Sequence, residues 1–183
     1  RMRCVAGSPL LGAWIEGEAE NICYQHRDFS AVWQRLCHLR QRMERERAEE
    51  RGDMIDIKLG MGGLADMEFL VQGHLLIEGH KDRSLRAGSV RSALPRILDS
   101  LAMPDLLLRE IGAAFETLRS LEHRLVLFNN TSASRLRPAQ FECLMETGLW
   151  PPLRGSGYVD SWQDILRLRR RVRSMLQNWC PDL

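Results

Sequence analysis

"DIKLGMGGLADMEF", residues Asp56 to Phe69, decides how the rest of the chain is read. Around its start, Met54, Ile55, Ile57 and Leu59 alternate with Asp56 and Lys58, which is the period of a strand. Beyond it, Met67, Phe69, Leu70, Val71, His74, Leu75 and Ile77 recur at helical spacing to about His80. Gly60, Gly62 and Gly63 stand between the two patterns. A glycine pair at a helix start reaches backbone angles closed to other residues and bares the first amides of the helix. Those amides, at the positive end of the helix dipole, attract anions. Asp66 falls in the first turn, where a carboxylate satisfies the same amides. Glu68 is expected to point elsewhere on the helix, and Lys58 lies just upstream, on the strand face opposite Ile57. Two carboxylates beside a lysine and a helix terminus suit the handling of phosphate or magnesium. They are equally ordinary capping and ion-pairing material.

Working outward, the remaining segments read as helices. Leu10, Leu11, Trp14, Ile15 and Ile22 fit one apolar face between Pro9 and Tyr24, with Ser8 as N-cap. From about Phe29 to Arg51 the face is Phe29, Val32, Trp33, Leu36, Cys37, Leu39 or Arg40, and Met43. The end of that helix, "ERERAEER", alternates acid and base and is expected to project into solvent until Gly52 stops it. Further helices are expected over roughly Ser89–Ala102, with Pro95 kinking it or marking a late start, and over Pro104–Phe128. Two more are expected over Pro138–Thr147 and from Asp160 or Ser161 to Trp179. "NNTSAS" reads as a polar break and "GLWPPLRGSGY" as a loop. The expected fold is all-α, a bundle of about six or seven helices with one short extended segment near residues 54–59. Residues 1–183 read as a single helical domain. A subdivision near residue 60 would separate linker helices, 1–60, from the bundle, 61–183.

The chain has 183 residues, of which 44% are hydrophobic and 27% charged, with a net charge of only +2. That balance argues against a dedicated nucleic-acid binder, whose phosphate contacts need a basic surplus. No apolar run approaches the ~20 residues of a membrane span. Arg1 to Cys4 lead into polar sequence, so no signal peptide is expected. The five cysteines, Cys4, Cys23, Cys37, Cys143 and Cys180, are odd in number, scattered and without a CxxC pair. They read as reduced, mostly buried thiols of a cytoplasmic protein rather than zinc ligands. His26, His38, His74, His80 and His123 form no HxxxH pair beside a suitable glutamate, so no metal site is expected. Arg167, Arg169, Arg170, Arg171 and Arg173 read as the solvated face of the last helix. Ile165, Leu166, Leu168, Val172 and Met175 or Leu176 form its buried side. Trp14, Trp33, Trp150, Trp162 and Trp179 read as core or groove anchors.

The elbow also resembles a segment of the bacterial glutamine-synthetase adenylyltransferases, the one that follows their catalytic domain. That family carries a pattern close to Asp-(Val/Ile)-Lys-x-Gly-x-Gly-Gly-Ile-Arg-Asp-Ile-Glu-Phe-x-x-Gln. Asp56, Ile57, Lys58, Gly60, Gly62, Gly63, Leu64, Asp66, Met67, Glu68, Phe69 and Gln72 follow it in order. "VAGSPLLG" from Val5, "DFSAVWQRLCHLRQRMERE", "LRSLEHRL" at Leu118–Leu125 and the closing "RRRVRSMLQNW" resemble other parts of the same domain. Ala65 stands where the family usually has arginine, so any phosphate contact of that arginine is missing here. Nucleotidyltransferases of this class need Gly-Ser followed by Asp-x-Asp to hold magnesium and triphosphate. None of Gly7-Ser8, Gly88-Ser89 and Gly155-Ser156 is followed by it. The resemblance therefore implies a fragment that begins after the catalytic domain and does not transfer nucleotides alone.

The resemblance implies a parent enzyme that uses ATP and magnesium to attach AMP to a tyrosine of glutamine synthetase. The other half of that two-part enzyme removes the AMP by phosphorolysis. The implied partners are the chain's own missing nucleotidyltransferase domain, glutamine synthetase and a nitrogen-signal regulatory protein, with no nucleic acid and no membrane. This chain itself is expected to hold no cofactor and no metal, and to act in the cytoplasm. Lys58, Gly62, Gly63, Asp66 and Glu68 are then candidates for the rim of the catalytic cleft. Glu122, His123 and Arg124 are candidates for interaction, although a polar seam between helices is the ordinary reading of such a trio. Two alternatives stay open: the helical domain of a related uridylyltransferase, and a non-enzymatic helical module that binds a partner protein. The ending Pro181-Asp182-Leu183 reads as a natural C terminus and hence as the transferring half. A piece cut from either half would end the same way.

Overall fold

A computed structural model describes residues 4–86, 89–101, 105–130, 134–146, 159–178 and 180–181. The side chains of 105–108 are excepted. The described elements are helices α1 (Pro9–Cys23), α2 (Phe29–Arg47), α3 (Leu64–Glu78), α4 (Val90–Ser100), α5 (Asp105–Asn129), α6 (Pro138–Glu146) and α7 (Trp162–Leu176). Two short strands, β1 (Ile55–Asp56) and β2 (Arg135–Leu136), and a 3₁₀ turn at Arg83–Leu85 complete the set. The fold is all-α, as the periodicity implied.

The helix starts follow local chemistry. Asp28 accepts a hydrogen bond from the Ala31 amide at 2.7 Å and caps α2. Ser89 with Ser92, and Ser161 with Asp164, form reciprocal capping boxes on α4 and α7. Ser8 makes no such bond on α1. α4 runs on through Pro95, which lies on its exposed side.

The bundle is organised around α3. This helix is buried on nearly all sides, from Leu64, Ala65 and Met67 to Val71, Leu75 and Ile77. An all-round apolar helix is stable only when other elements cover it, and here α2, α4, α5 and α7 do so. The main core joins its inner residues to Ala93, Leu94, Ile97 and Leu98 of α4, to Ile111, Phe115, Leu118, Leu121 and Leu125 of α5, and to Ile165 and Val172 of α7. A second cluster fills the seam of α2, α3 and the end of α7 with Trp33, Cys37, Leu70, Ile77, Leu176 and Cys180. Gly73 makes that seam possible: a Cβ there would lie 2.7 Å from Trp33 Cζ3.

Several expectations need correction. The alternating segment pairs over only two residues, Ile55 with Leu136 and Asp56 with Arg135, antiparallel. Its partner strand lies just past the stretch read as a polar break. The face of α1 is not core: Leu10, Leu11, Trp14 and Ile22 are all exposed. Phe29 and Leu39 of α2 are exposed as well, whereas Arg40 is fully buried. Periodicity marks an apolar face but not what covers it. The thiols differ too. Cys37 and Cys180 are disulfide-bonded across 143 positions, and Cys4, Cys23 and Cys143 are exposed. Such a pairing leaves no mark in local spacing. Trp33 is buried and Trp162 packs against the main core. Trp150, Trp179, the whole "GLWPPLRGSGY" loop, Gly88 and Gly155-Ser156 lie outside the described residues.

Candidate functional site

The elbow is closed rather than bare. Asp56 Oδ1 accepts the amides of Lys58 and Leu59 at 2.9 Å each and the Ser134 hydroxyl at 2.7 Å, which bends the chain out of β1. The backbone then doubles back on itself. The Leu64 amide donates to the Ile57 carbonyl at 3.0 Å, the Ala65 amide to that of Lys58 at 2.9 Å, and the Asp66 amide to that of Gly63 at 3.1 Å. The Gly62 amide donates to Asp66 Oδ2 at 2.9 Å. These first amides of α3, the ones an anion would use, are thus bonded within the chain. Gly62 has φ +67, and a Cβ there would run into the Arg169 backbone of α7.

Asp66 lies at the centre of a buried ionic knot. Arg40 Nε of α2 donates to its Oδ1 at 2.5 Å, and Arg173 Nε of α7 donates to its Oδ2 at 2.8 Å. Arg40 Nη2 also donates to the Gly60 carbonyl at 2.9 Å. Glu44 pairs with Arg40 at 3.1 Å and with Arg173. Glu50 pairs with Arg169 and accepts the Asp56 amide at 3.0 Å. Burial pushes the Asp66 carboxyl up, and Arg40, Arg173 and the Gly62 amide pull against that push. Two readings change as a result. "ERERAEER" does not simply project into solvent, because Glu44 and Glu50 fold onto arginines of the bundle. Of the basic run on α7, Arg169 and Arg173 are buried.

The other candidates gather on a different surface. Lys58 Nζ lies 3.1 Å from Glu122 Oε1, and Arg119 Nη1 donates to Glu122 Oε2 at 2.6 Å. Arg119 Nη2 lies 3.9 Å from Glu68 Oε1. Lys58, Glu122, Arg119 and Glu68 thus form one alternating ridge across the turn after β1, α5 and α3. Burial raises the Glu122 carboxyl, but the hydrogen bonds from Arg119 and Lys58 prevail and hold it below its ordinary value. His123 is exposed beside the ridge, while Arg124 is buried, which draws its guanidinium down.

The five elbow candidates therefore divide. Lys58 and Glu68 are partly exposed on the ridge, while Gly62, Gly63 and Asp66 face inward in this chain. Arg119 was not singled out from the sequence, although its place three residues before Glu122 on one helix face was a usable signal. Arg40 was legible only as an odd member of an apolar face. Among the described residues, no group of three or more His, Cys, Asp or Glu side chains is arranged to hold a metal. With the α3 amides also engaged, the elbow does not fit a magnesium–triphosphate group. No helix among the described residues is long and apolar enough to cross a membrane.

The described residues thus form an all-α bundle around a sealed glycine elbow, with an acid–base ridge on its outer side. The chain belongs to the family described as GlnD PII-uridylyltransferase, which it matches over residues 32–178. Its curated relatives include proteins named bifunctional glutamine synthetase adenylyltransferase/adenylyl-removing enzyme. The one from Methylococcus capsulatus is 33% identical over 133 residues, covering 69% of this chain and 14% of the relative. The one from Nitrosococcus oceani is 31% identical over 159 residues, covering 84% and 16%. The one from Thioalkalivibrio sulfidiphilus is 29% identical over 182 residues, covering 97% and 18%. The chain therefore spans less than a fifth of the length of these relatives.

Proposed function

We propose that residues 1–183 act as the helical domain of a glutamine synthetase adenylyltransferase/adenylyl-removing enzyme. The domain supports ATP-dependent attachment of AMP to the synthetase, or its phosphorolytic removal, in the cytoplasm. The observation that carries this reading is the alignment of nearly the whole chain with a small share of a much longer enzyme of that name. The nucleotidyltransferase domain of the longer polypeptide supplies the magnesium and ATP chemistry. The described elbow residues leave the triphosphate to that domain, since the first amides of α3 are bonded within the chain. Their contribution is positional. The buried knot of Arg40, Asp66 and Arg173 locks α2 and α7 onto the start of α3, and the turn after β1 then presents Lys58 to Glu122. In this reading the ridge borders the catalytic cleft, where its charges orient the catalytic domain or the synthetase.

Transfer by the longer polypeptide tests the proposal. With ATP, magnesium and glutamine synthetase it labels the synthetase, and the 183-residue chain alone does not. Stoichiometric labelling by the chain alone would overturn it. The family match supports a second reading, the helical domain of a uridylyltransferase acting on a PII protein. Transfer from UTP to such a protein, with none from ATP to the synthetase, would select that reading.

A further inference from the structure

α1 does not share in the bundle's core. No residue of it is buried, and Leu10, Leu11, Trp14 and Ile22 are 85%, 56%, 63% and 62% exposed. One exposed leucine needs no explanation, but a helical stripe that includes a tryptophan does. The helix is anchored near its C-terminal end. Tyr24 packs against the main core, Arg86 lies over the Tyr24 ring at 4.3 Å, and Arg86 pairs with Glu20 at 3.2 Å. The core closes without it, because α3 is already covered by α2, α4, α5 and α7.

Two observations bear on what covers this face. The family match begins at residue 32, beyond α1, whereas the alignment with the Thioalkalivibrio relative takes in 97% of this chain and hence α1. α1 therefore belongs to a homologous long polypeptide but lies outside the bundle that the family match defines. The second observation is charge. α1 carries Glu16, Glu18 and Glu20 and no lysine or arginine, so pairing two copies along this helix sets like charges together. Four apolar side chains also fall short of a stable intermolecular interface, which buries roughly 1,200 Å² or more. A tethered domain needs far less, because the linker holds it at an effective concentration of about millimolar.

We propose that the exposed face of α1 is the seat of the neighbouring nucleotidyltransferase domain of the same polypeptide, which meets it with an apolar surface rimmed by basic side chains. The identity of that domain rests on the function proposed above; the vacant face does not. α1 then acts as the coupling element between catalytic domain and bundle, anchored to the bundle at Tyr24.

Hydrogen exchange tests this on the 183-residue chain and on the full-length polypeptide side by side. Amides of α1 should exchange at least ~10-fold more slowly in the full-length protein, with those of α3 unchanged. The double substitution Leu11→Glu/Trp14→Glu in full-length protein should return α1 to the rate of the short chain while α3 stays protected. Equal α1 exchange in both proteins overturns the proposal. So does a short chain that sediments as a dimer with α1 protected, since the occupant is then a second copy. A full-length protein that protects α1 but transfers no nucleotide leaves the docking in place and removes the functional reading. One that transfers nucleotide with α1 unprotected does the reverse.

Discussion

Arg40 Nε and Asp66 Oδ1 meet at 2.5 Å with neither side chain exposed, so the middle of α2 is bonded to the first turn of α3 through a buried ion pair. Buried pairs add little net stability over an apolar replacement, because both charges lose water. Removing one member is another matter, since the remaining charge is stranded.

The Asp66→Asn substitution tests this relationship. A helix cap tolerates asparagine, and loss of a cap costs only ~1 kcal/mol. In the knot, asparagine leaves Arg40 and Arg173 short of a charge, with Glu44 alone to balance them. The expected loss is about 3–5 kcal/mol in urea unfolding of the 183-residue chain. A shift near the capping value would show that the knot adds nothing beyond the cap.

Glu68 faces the ridge, so its substitution should separate from stability. Glu68→Gln in the full-length polypeptide is expected to lower adenylyl transfer at least ~10-fold, about 1.4 kcal/mol of transition-state stabilisation. The melting temperature should hardly move, because the side chain is partly exposed and its shape is kept. Unchanged transfer in Glu68→Gln and in Lys58→Ala would return the ridge to a structural role.

His74 makes stability depend on pH. Burial holds its imidazole at about 4, with Glu78 opposing, against an ordinary 6.5. A lowered folded-state value means that the unfolded chain takes up the proton first. The His74 contribution is therefore complete above pH 6.5 and is lost as pH falls from there towards 4. Over that range the loss approaches ~3 kcal/mol. The His74→Gln variant should show a correspondingly flatter dependence between these limits. The same slope in both proteins would assign the effect to carboxylates.

The Cys37–Cys180 bridge closes a loop across 143 positions and ties α2 to the end of α7. A loop of this size is worth up to ~5 kcal/mol in the chain-entropy picture, and ~2–4 kcal/mol is typical. Reductant should lower the melting temperature of the wild-type chain and leave that of Cys180→Ser unaltered. Equal sensitivity of the two proteins would place the effect elsewhere. Thiol trapping should find Cys4, Cys23 and Cys143 reactive before reduction.

Much of the fold was legible because helix signals are local. The cap at Ser161, the spacing of Ile111, Phe115, Leu118, Leu121 and Leu125, and the glycine elbow each act within a turn or two of chain. They mark helices, faces and breaks without knowledge of neighbours. The candidate site was legible only as a set of residue types. Lys58, Asp66 and Glu68 stand together in the elbow and Glu122 in a separate trio, and nothing local separates the buried Asp66 and Glu122 from the partly exposed Lys58 and Glu68.

Tertiary structure made that division. Asp66 turns inward because Arg40 and Arg173, from helices far apart in sequence, converge on it. Glu122 joins the ridge because the turn after β1 brings Lys58 to α5. The bare face of α1 and the Cys37–Cys180 bridge belong to the same class of fact. The sequence by itself determined which segments become helices and where the elbow bends, since those follow from backbone preferences and hydrophobic period. Which charges are buried, which thiols meet and which apolar face lacks a cover depend on contacts between distant segments. Only the packed chain decides those contacts.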